Sequence, residues 1–394
     1  MLQFHQDYCY ICIYSLKDKI SGGKNLSKLL TLLFVSLMLA FIIEFRDKQL
    51  LRKPGKFDRF FTFLLIVLLA SYCGLRTWYN DTVTYLQMYD QTPPLSAFWT
   101  SDDARLAGGI GFGWLNSFIK ELGFSSQDYL MLYAFLTVTP YVLFVRKYCP
   151  HFLFGVFLMF TTGFYTFTFA AIKQCMATGI CLLAVMAALD KKWIHFSLLM
   201  ALAVLFHPYS IIYLVVPLMT FKPWTKWTYI CIVVFIAMGF MLEHLLGTIL
   251  DVTDLIGADY VIESFTGEGV NVFRVIVAFV PLGLAAVGGR KTFLSSTKMD
   301  NLMFNLAMLN ALIMFVGLFG TANYFARLAN YFLPGQIITL PYLLKRWKPS
   351  QGRVLTIACI IGYLGYFIYE NAIIRPFDYS CSHMNFFDYI SSLF

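Results

Sequence analysis

Five basic side chains stand at the ends of long apolar runs in this sequence: Arg76, Lys173, His207, Arg274 and Arg327. An unpaired Lys or Arg at membrane depth costs about 2.5–3.5 kcal/mol, so such residues tend to line cavities and to mark functional sites. Arg grips phosphate oxygens with a bidentate fork, Lys holds them as a point charge, and an imidazole titrates near neutral pH. Brought together, these groups would suit the pyrophosphate of a phosphorylated lipid.

Each of these residues also has a plainer interpretation. The three arginines could extend their charges to lipid headgroups. Lys173 is harder to explain in this way, because Gln174 follows it inside an apolar helix and a polar pair there needs partners. His207 could be a satisfied core residue, but it precedes a proline at a break between two short helices, and broken helices in membranes usually line a cavity.

Further polar residues follow Arg76 in the stretch GLRTWYNDTVTYLQMYD, residues 74–90. Asp81 has three possible roles: a general base, a partner of Arg76, or the cap of a helix that starts at Thr82. Tyr85 lies one helical turn beyond Asp81 and either binds sugar or packs. We take His207 as the first choice of base and Asp81 as the second.

The elements that position these residues must be membrane helices. The 394-residue chain is 59% hydrophobic and only 13% charged, with a mean hydropathy of +0.68, whereas soluble domains carry about 25% charged residues. We predict an all-α polytopic membrane protein with about 12 transmembrane segments. The predicted spans are 29–45, 58–75, 128–146, 152–169, 171–189, 193–207, 209–221, 227–243, 272–288, 302–320, 328–344 and 354–370.

The charges of the loops predict the orientation of these spans. The loop after the first span contains six Lys or Arg residues between 46 and 59, so it is expected to be cytoplasmic. Later basic loops fall on the same side only if the chain turns back at His207-Pro208, which predicts two short helices joined there. The five basic residues then share the outer face.

The domain prediction follows from these spans. Residues 1–27 form an N-terminal extension, 28–370 a single transmembrane domain and 371–394 a C-terminal tail. Outer-face loops are expected at 76–127 and 244–271, and the first of them contains an amphipathic helix from Trp114 onward.

Several other function classes lack support. Cys9 and Cys12 form a CxxC motif, but its apolar context does not fit a redox or metal site. The net charge of +8 is explained by short basic loops and does not require nucleic acid. We therefore predict no cofactor, no metal site and no nucleic-acid partner.

Four stretches together resemble a known family. The first is the stretch around Arg76, with Asp-Thr and a Tyr four residues past the Asp. The others are AAIKQCMATGICLLAVMAA, where the family commonly has Arg-Gln, LAVLFHPYSIIYL with its Phe-His, and NYFARLANYFLP with an Arg before a Tyr-Phe pair. They lie in the family's order between about residues 30 and 370. The chain is thus similar to the EpsG group, which is classed with Wzy-type O-antigen and capsule polymerases.

The resemblance implies a GT-C-like membrane glycosyltransferase in the bacterial cytoplasmic membrane. Such polymerases join oligosaccharide repeat units on polyprenyl pyrophosphate at the periplasmic or extracellular face, without a metal. Arg76, Lys173 and Arg327 would then bind pyrophosphate, and Gln174, Tyr85 and Arg274 would be candidates for substrate binding. The partners would be lipid-linked donor and acceptor, membrane lipids and a chain-length regulator.

Two alternatives stay open. A flippase or secondary transporter would also show many spans and a cationic vestibule, but no internal repeat is visible and the charges gather at one face rather than at the midplane. An O-antigen ligase would share the donor chemistry and differ only in its acceptor.

Overall fold

The computed structural model describes residues 25–46, 55–100, 109–242, 248, 269–320 and 322–381. In chain order its helices are α1 (Asn25–Arg46), α2 (Lys56–Gly74), α3 (Thr82–Asp90), α4 (Ile110–Glu121), α5 (Ser126–Tyr148), α6 (Phe152–Thr161), α7 (Ile172–Leu189), α8 (Trp193–Phe206), α9 (Lys226–Phe240), α10 (Val272–Gly288), α11 (Lys298–Val316), α12 (Ala322–Asn330), α13 (Leu333–Lys345) and α14 (Pro349–Tyr369). Segments of 3₁₀-helix cover Leu95–Thr100, Thr166–Phe169, Pro208–Thr220 and Arg290–Phe293, and a π-helical turn, Glu370–Ile374, follows α14.

Six of these helices are long and apolar enough to cross a membrane: α1, α2, α5, α7, α11 and α14 with its π-helical turn. Shorter apolar helices account for most of the other predicted spans. The prediction of a multi-pass, helical membrane protein is confirmed. Two predicted spans differ from the observed helices. In the span 152–169 the α-helix ends at Thr161, and the span 328–344 is interrupted at Tyr331 and Phe332, between α12 and α13.

The helix is interrupted at His207, as the loop charges predicted. His207 has extended backbone angles (φ −152°, ψ 108°), and Pro208 begins the following 3₁₀-helix. The two short helices pack against each other. The Ser210 hydroxyl contacts the carbonyl oxygens of His207 at 2.7 Å and Ala203 at 3.2 Å, so it closes the turn. The break therefore leaves an imidazole at a helix end rather than on a helix face.

Small residues allow the central helices to pack closely. A Cβ atom on Gly335 of α13 would lie 2.5 Å from the Ala307 nitrogen in α11, and one on Gly179 of α7 would lie 2.8 Å from the Pro140 ring in α5. Close backbone approach at small residues is a usual way for membrane helices to associate. Of these helices, α7 carries Lys173 in its first turn, so its close packing against α5 helps to position that residue.

Two strands form a small antiparallel ribbon, β1 (Arg76–Trp78) and β2 (Ser380–Cys381), with Arg76 opposite Cys381. The C-terminal segment is fastened to the domain: the Tyr379 ring stacks on Tyr72 at 4.6 Å, and its hydroxyl donates to the Tyr72 carbonyl oxygen at 2.8 Å. The predicted C-terminal tail therefore packs against the transmembrane domain as far as Cys381. Alternating hydrophobicity over so short a strand is too weak a signal to reveal this.

The predicted extensions and outer loops are described only in part. Helix α1 begins at Asn25, so the last three residues of the predicted N-terminal extension belong to it. Residues 1–24, with the CxxC motif, and 382–394 lie outside the described chain, as do most of the predicted loop 244–271 and residues 101–108.

Candidate active site

Helix ends bring the predicted site residues to one end of the bundle. Arg76 follows the end of α2, Lys173 opens α7, and His207 follows α8. Arg274 opens α10 and Arg327 lies in α12. The contacts described next show that these termini converge.

Arg327 is the centre of this convergence. Its Nη2 atom lies 3.8 Å from Asp81 Oδ2, and both side chains are partly exposed, at 44% and 38%. Buried Gln174 donates a hydrogen bond from Nε2 to the Arg327 carbonyl oxygen. Gln174 therefore positions the backbone of Arg327 and does not face an open space.

The three possible roles of Asp81 are narrowed by this geometry. Asp81 stands at the N-cap position of α3, but its side chain makes no capping hydrogen bond. Among the described residues its ion-pair partner is Arg327, so the geometry does not support the alternative in which Asp81 pairs with Arg76. Arg327 is distant in sequence and is brought in by the fold.

His207 is held by a tyrosine that the sequence analysis did not single out. The Tyr331 hydroxyl lies 2.7 Å from His207 Nδ1 and 3.3 Å from the Ser210 hydroxyl, and Tyr331 is fully buried. The charges of Lys173 and Arg327 both act on this imidazole. The sequence feature that could have identified Tyr331 is its position four residues after Arg327, which is about one helical turn. The helix, however, ends at Asn330, just before Tyr331.

Lys173 faces an aromatic wall supplied by α4. Its ammonium nitrogen lies 5.3 Å from the centre of the Phe112 ring, and Phe112 packs edge-on against buried Tyr85 at 6.4 Å. The charge of Asp81 acts on the Tyr85 hydroxyl. Tyr85 is thus both a packing residue and a neighbour of the charged cluster.

The predicted amphipathic helix in this loop is α4. It buries Phe112 and Ile119 and exposes Trp114 and Phe118, whose rings stack on each other. Gly109 immediately before it has φ +114°, and a Cβ there would lie 2.8 Å from the Leu205 and Phe206 carbonyl oxygens. Glycine therefore lets α4 sit directly against the end of α8, next to His207.

Arg76 is buried in the protein interior rather than exposed at the end of α2. Its side chain is 1% exposed, Nε donates to the Thr82 hydroxyl at 3.0 Å, and Nη1 donates to the Cys73 carbonyl oxygen. The remaining Nη2 atom is buried without a hydrogen-bond partner among the described residues. The guanidinium lies behind Thr82 and ties the end of α2 to the start of α3.

Arg274 has a partner that the sequence analysis also missed. Glu370, at the start of the π-helical turn, receives hydrogen bonds from Nε and Nη2 of Arg274, which makes a bidentate pair. Both side chains are mostly buried, at 14% and 16% exposed. Headgroup binding is therefore not the role of Arg274.

A polar cavity of about 470 Å³ lies between these groups. Its charged lining consists of Arg274, Arg327, Arg375, Glu370 and Asp378. Its neutral polar lining includes Asn80, Thr162, Asn330 and Asn371, and its aromatic lining includes Trp78, Tyr79 and Tyr366.

Tyr79 can serve the cavity as a neutral hydroxyl. Burial raises the pKa of its side chain to about 12, although the nearby charges of Arg375, Arg274 and Arg76 act in the opposite direction. The phenol is therefore protonated at neutral pH and can donate a hydrogen bond.

Metal-binding side chains do not cluster in this region. Within the part of the chain that the structure describes, no group of three or more His, Cys, Asp or Glu side chains could hold a metal ion.

A second, larger groove of about 1090 Å³ has a different character. It is lined mainly by aliphatic and aromatic side chains of α1, α6, α13 and α14, among them Leu33, Phe41, Phe157 and Ile360. None of the eight predicted site residues lines it. The candidate site is therefore the charged cluster and the polar cavity beside it.

Comparison with known proteins gives one match. A family model described as the EpsG family matches residues 59–391, which is most of the chain and includes every site residue named above. No curated protein and no solved structure matches this chain. The chain therefore belongs to the EpsG family, a family of Wzy-like polysaccharide polymerases.

Proposed function

We propose that this protein joins oligosaccharide repeat units carried on polyprenyl pyrophosphate at the outer face of the cytoplasmic membrane. The growing chain moves from its lipid carrier to a hydroxyl of the next unit, and polyprenyl pyrophosphate leaves. The observation that carries the proposal is the convergence of three chain segments. Gln174, the neighbour of Lys173, donates to the Arg327 carbonyl oxygen. Tyr331, four residues after Arg327, contacts His207. Arg327 itself lines the polar cavity.

The leaving group needs cations. As the bond between the anomeric carbon and the pyrophosphate oxygen breaks, negative charge develops on the pyrophosphate, and fixed cations beside it stabilise the transition state. Lys173 and Arg327 supply this charge. Asp81 holds the guanidinium of Arg327 by its ion pair, and Gln174 holds the Arg327 backbone.

The attacking hydroxyl needs a base. His207 uses Nδ1 in its contact with Tyr331, which leaves Nε2 as the ring nitrogen that can take the acceptor's proton. As the new glycosidic bond forms, the proton passes from the acceptor oxygen to Nε2. Asp81 is the weaker candidate for the base because its carboxylate is engaged with Arg327.

Arg76 acts as a positioning residue in this scheme. It joins the end of α2 to Thr82, the first residue of α3, and thereby sets the position of Asp81 immediately before it. Its charge contributes at a distance without touching the pyrophosphate.

A reconstitution experiment tests the proposal against its two rivals. Purified protein in lipid vesicles is given lipid-linked repeat units, and the products are separated on a gel. We expect a ladder of products that differ by one repeat unit. Transfer of a single unit to a different lipid would identify a ligase, and unchanged substrate that crosses the bilayer would identify a flippase.

A further inference from the structure

We infer that the polar cavity beside Arg327 is the carbohydrate subsite of the enzyme, and that it holds the sugar of the acceptor unit. The inference rests on the proposed function and assigns to one cavity a ligand class that differs from the pyrophosphate. Its walls are the turn around Trp78, the Arg274–Glu370 pair and the C-terminal segment that carries Arg375 and Asp378.

The signs of the charges distinguish the cavity from a phosphate site. Two carboxylates, Glu370 and Asp378, line it together with its three arginines. A pyrophosphate would be repelled by these carboxylates, whereas a sugar hydroxyl both donates and accepts hydrogen bonds and can use both signs of charge. In the part of the chain that the structure describes, the carboxylate shown beside this cluster is that of Asp81, which is paired with Arg327, so we assign the phosphate there.

The shape and the aromatic lining also suit a sugar. A volume of about 470 Å³ falls in the usual range of small-molecule sites. Trp78 is 49% exposed, and its indole nitrogen donates to Asp378 Oδ2 at 2.9 Å, which holds the ring in place. A fixed and half-exposed indole is a suitable platform for the apolar face of a sugar ring.

Arg327 connects the two subsites. It lines the cavity, pairs with Asp81 and acts on His207. A sugar in the cavity would therefore contact Arg327, the residue that the proposed function places at the leaving group, which brings acceptor and donor together.

Arg375 is the sharpest probe of this subsite. Its side chain is exposed and has no hydrogen-bond or ion-pair partner among the described residues, so its removal should not disturb the fold. The segment that presents it is anchored independently by buried Phe377 and by the Tyr379–Tyr72 stack.

The test measures the binding of two probes, a glycan and a lipid pyrophosphate, to two variants of the full-length protein in detergent. The glycan probe is the strain's own polysaccharide cut to short fragments by partial acid hydrolysis, measured by saturation-transfer NMR. The lipid probe is farnesyl pyrophosphate, measured by calorimetry. We expect Arg375→Ala to weaken glycan binding about tenfold and to leave farnesyl pyrophosphate binding unchanged, because it removes a charged hydrogen-bond donor from the cavity only.

Lys173→Ala should show the reverse pattern, with weaker farnesyl pyrophosphate binding and unchanged glycan binding. Arg353→Ala is the control: this exposed arginine donates to the Pro349 carbonyl oxygen in the first turn of α14, lies outside both proposed subsites and should alter neither binding. The inference is overturned if the wild-type protein does not bind the glycan, or if Arg375→Ala weakens farnesyl pyrophosphate binding instead. The proposed function fails separately, through the absence of a product ladder.

Discussion

At the scale of single residues, each charged or titratable side chain of the candidate site has a specific partner. Arg274 is matched by Glu370 and Arg327 by Asp81, while the imidazole of His207 is held through one nitrogen by Tyr331. A side chain that is held in this way but keeps one reactive atom available is suited to catalysis. This reasoning leads to two residue-level predictions.

Replacing His207 by Gln should nearly abolish polymer formation. Glutamine can still bond to Tyr331 but cannot take a proton, and loss of general-base catalysis costs roughly 10²- to 10⁴-fold. Polymer length and yield on a gel, in a strain that lacks its own polymerase, measure the effect. His151→Gln is the matched control, because His151 pairs with Glu44 in the apolar groove. Full-length polymer from His207→Gln would rule out the histidine as the base.

Replacing Arg76 by Met should lower activity without lowering stability. Burying an ion costs several kcal/mol, and an apolar side chain of similar size avoids that cost. Thr82 would keep its hydrogen bond to the Tyr79 carbonyl oxygen at 2.6 Å. The Cys73 carbonyl oxygen would lose the hydrogen bond from Nη1, which offsets part of the gain. We expect a thermal unfolding midpoint equal to or above that of the wild type, together with loss of polymer. A large drop in the midpoint would show that Arg76 is structural.

At the scale of elements, the site depends on helices that end early. The α-helical part of the predicted span 152–169 ends because Thr162 is followed by Gly163, which has φ +81°. The sequence FYTFTFAA after Gly163 remains apolar. Composition therefore located this region in the membrane but could not show that the helix stops there.

The same limit applies to the partners of the charged residues. Apolar runs and loop charges sufficed to place Arg76, Lys173, His207, Arg274 and Arg327 at helix ends on one face. They could not identify Glu370 or Tyr331, which lie 96 and 124 positions from Arg274 and His207. Such pairings depend on how helices pack, and a single sequence contains no direct signal for that.

The contact between α4 and α8 gives an element-level prediction. Gly109→Ala should destabilise the protein by about 1–3 kcal/mol and reduce polymer formation, because its Cβ would strain a left-handed backbone and push α4 away from the carbonyl oxygens beside His207. Thermal unfolding and the polymer gel measure the two effects. Gly365→Ala in α14 is the control: its Cβ meets nothing within 4 Å, so it should be neutral or slightly stabilising. Equal behaviour of the two variants would contradict this contact.

At the scale of the whole molecule, the loop charges and the converging helix ends together predict which end faces outward. Cys381 is exposed and lies opposite Arg76 in the ribbon, at the end of the bundle that holds the site. Lys192 is exposed in the turn between α7 and α8, at the other end of α7 from Lys173. These two positions report on opposite sides of the membrane.

Labelling of intact cells with a membrane-impermeant maleimide tests this orientation. In a protein with Cys9 and Cys12 changed to Ser, Cys381 should react without permeabilisation, and Cys381→Ser should remove the signal. When Lys192→Cys is added to the protein in which Cys9, Cys12 and Cys381 are all serine, labelling should return only after the membrane is permeabilised. Labelling of Lys192→Cys in intact cells would invert the topology and place the site in the cytoplasm.

The ribbon between β1 and β2 also sets the order in which the enzyme is assembled. Chains are synthesised from the N-terminus, so Arg76 and Trp78 reach the membrane long before Ser380 and Cys381 exist. The wall of the cavity is thus the last described part to form, after α1 to α14 have been made. A nascent chain whose helices are still entering the membrane has the cations and the imidazole but lacks this wall of the cavity. Under the proposed function, such a chain would become competent only when the ribbon closes.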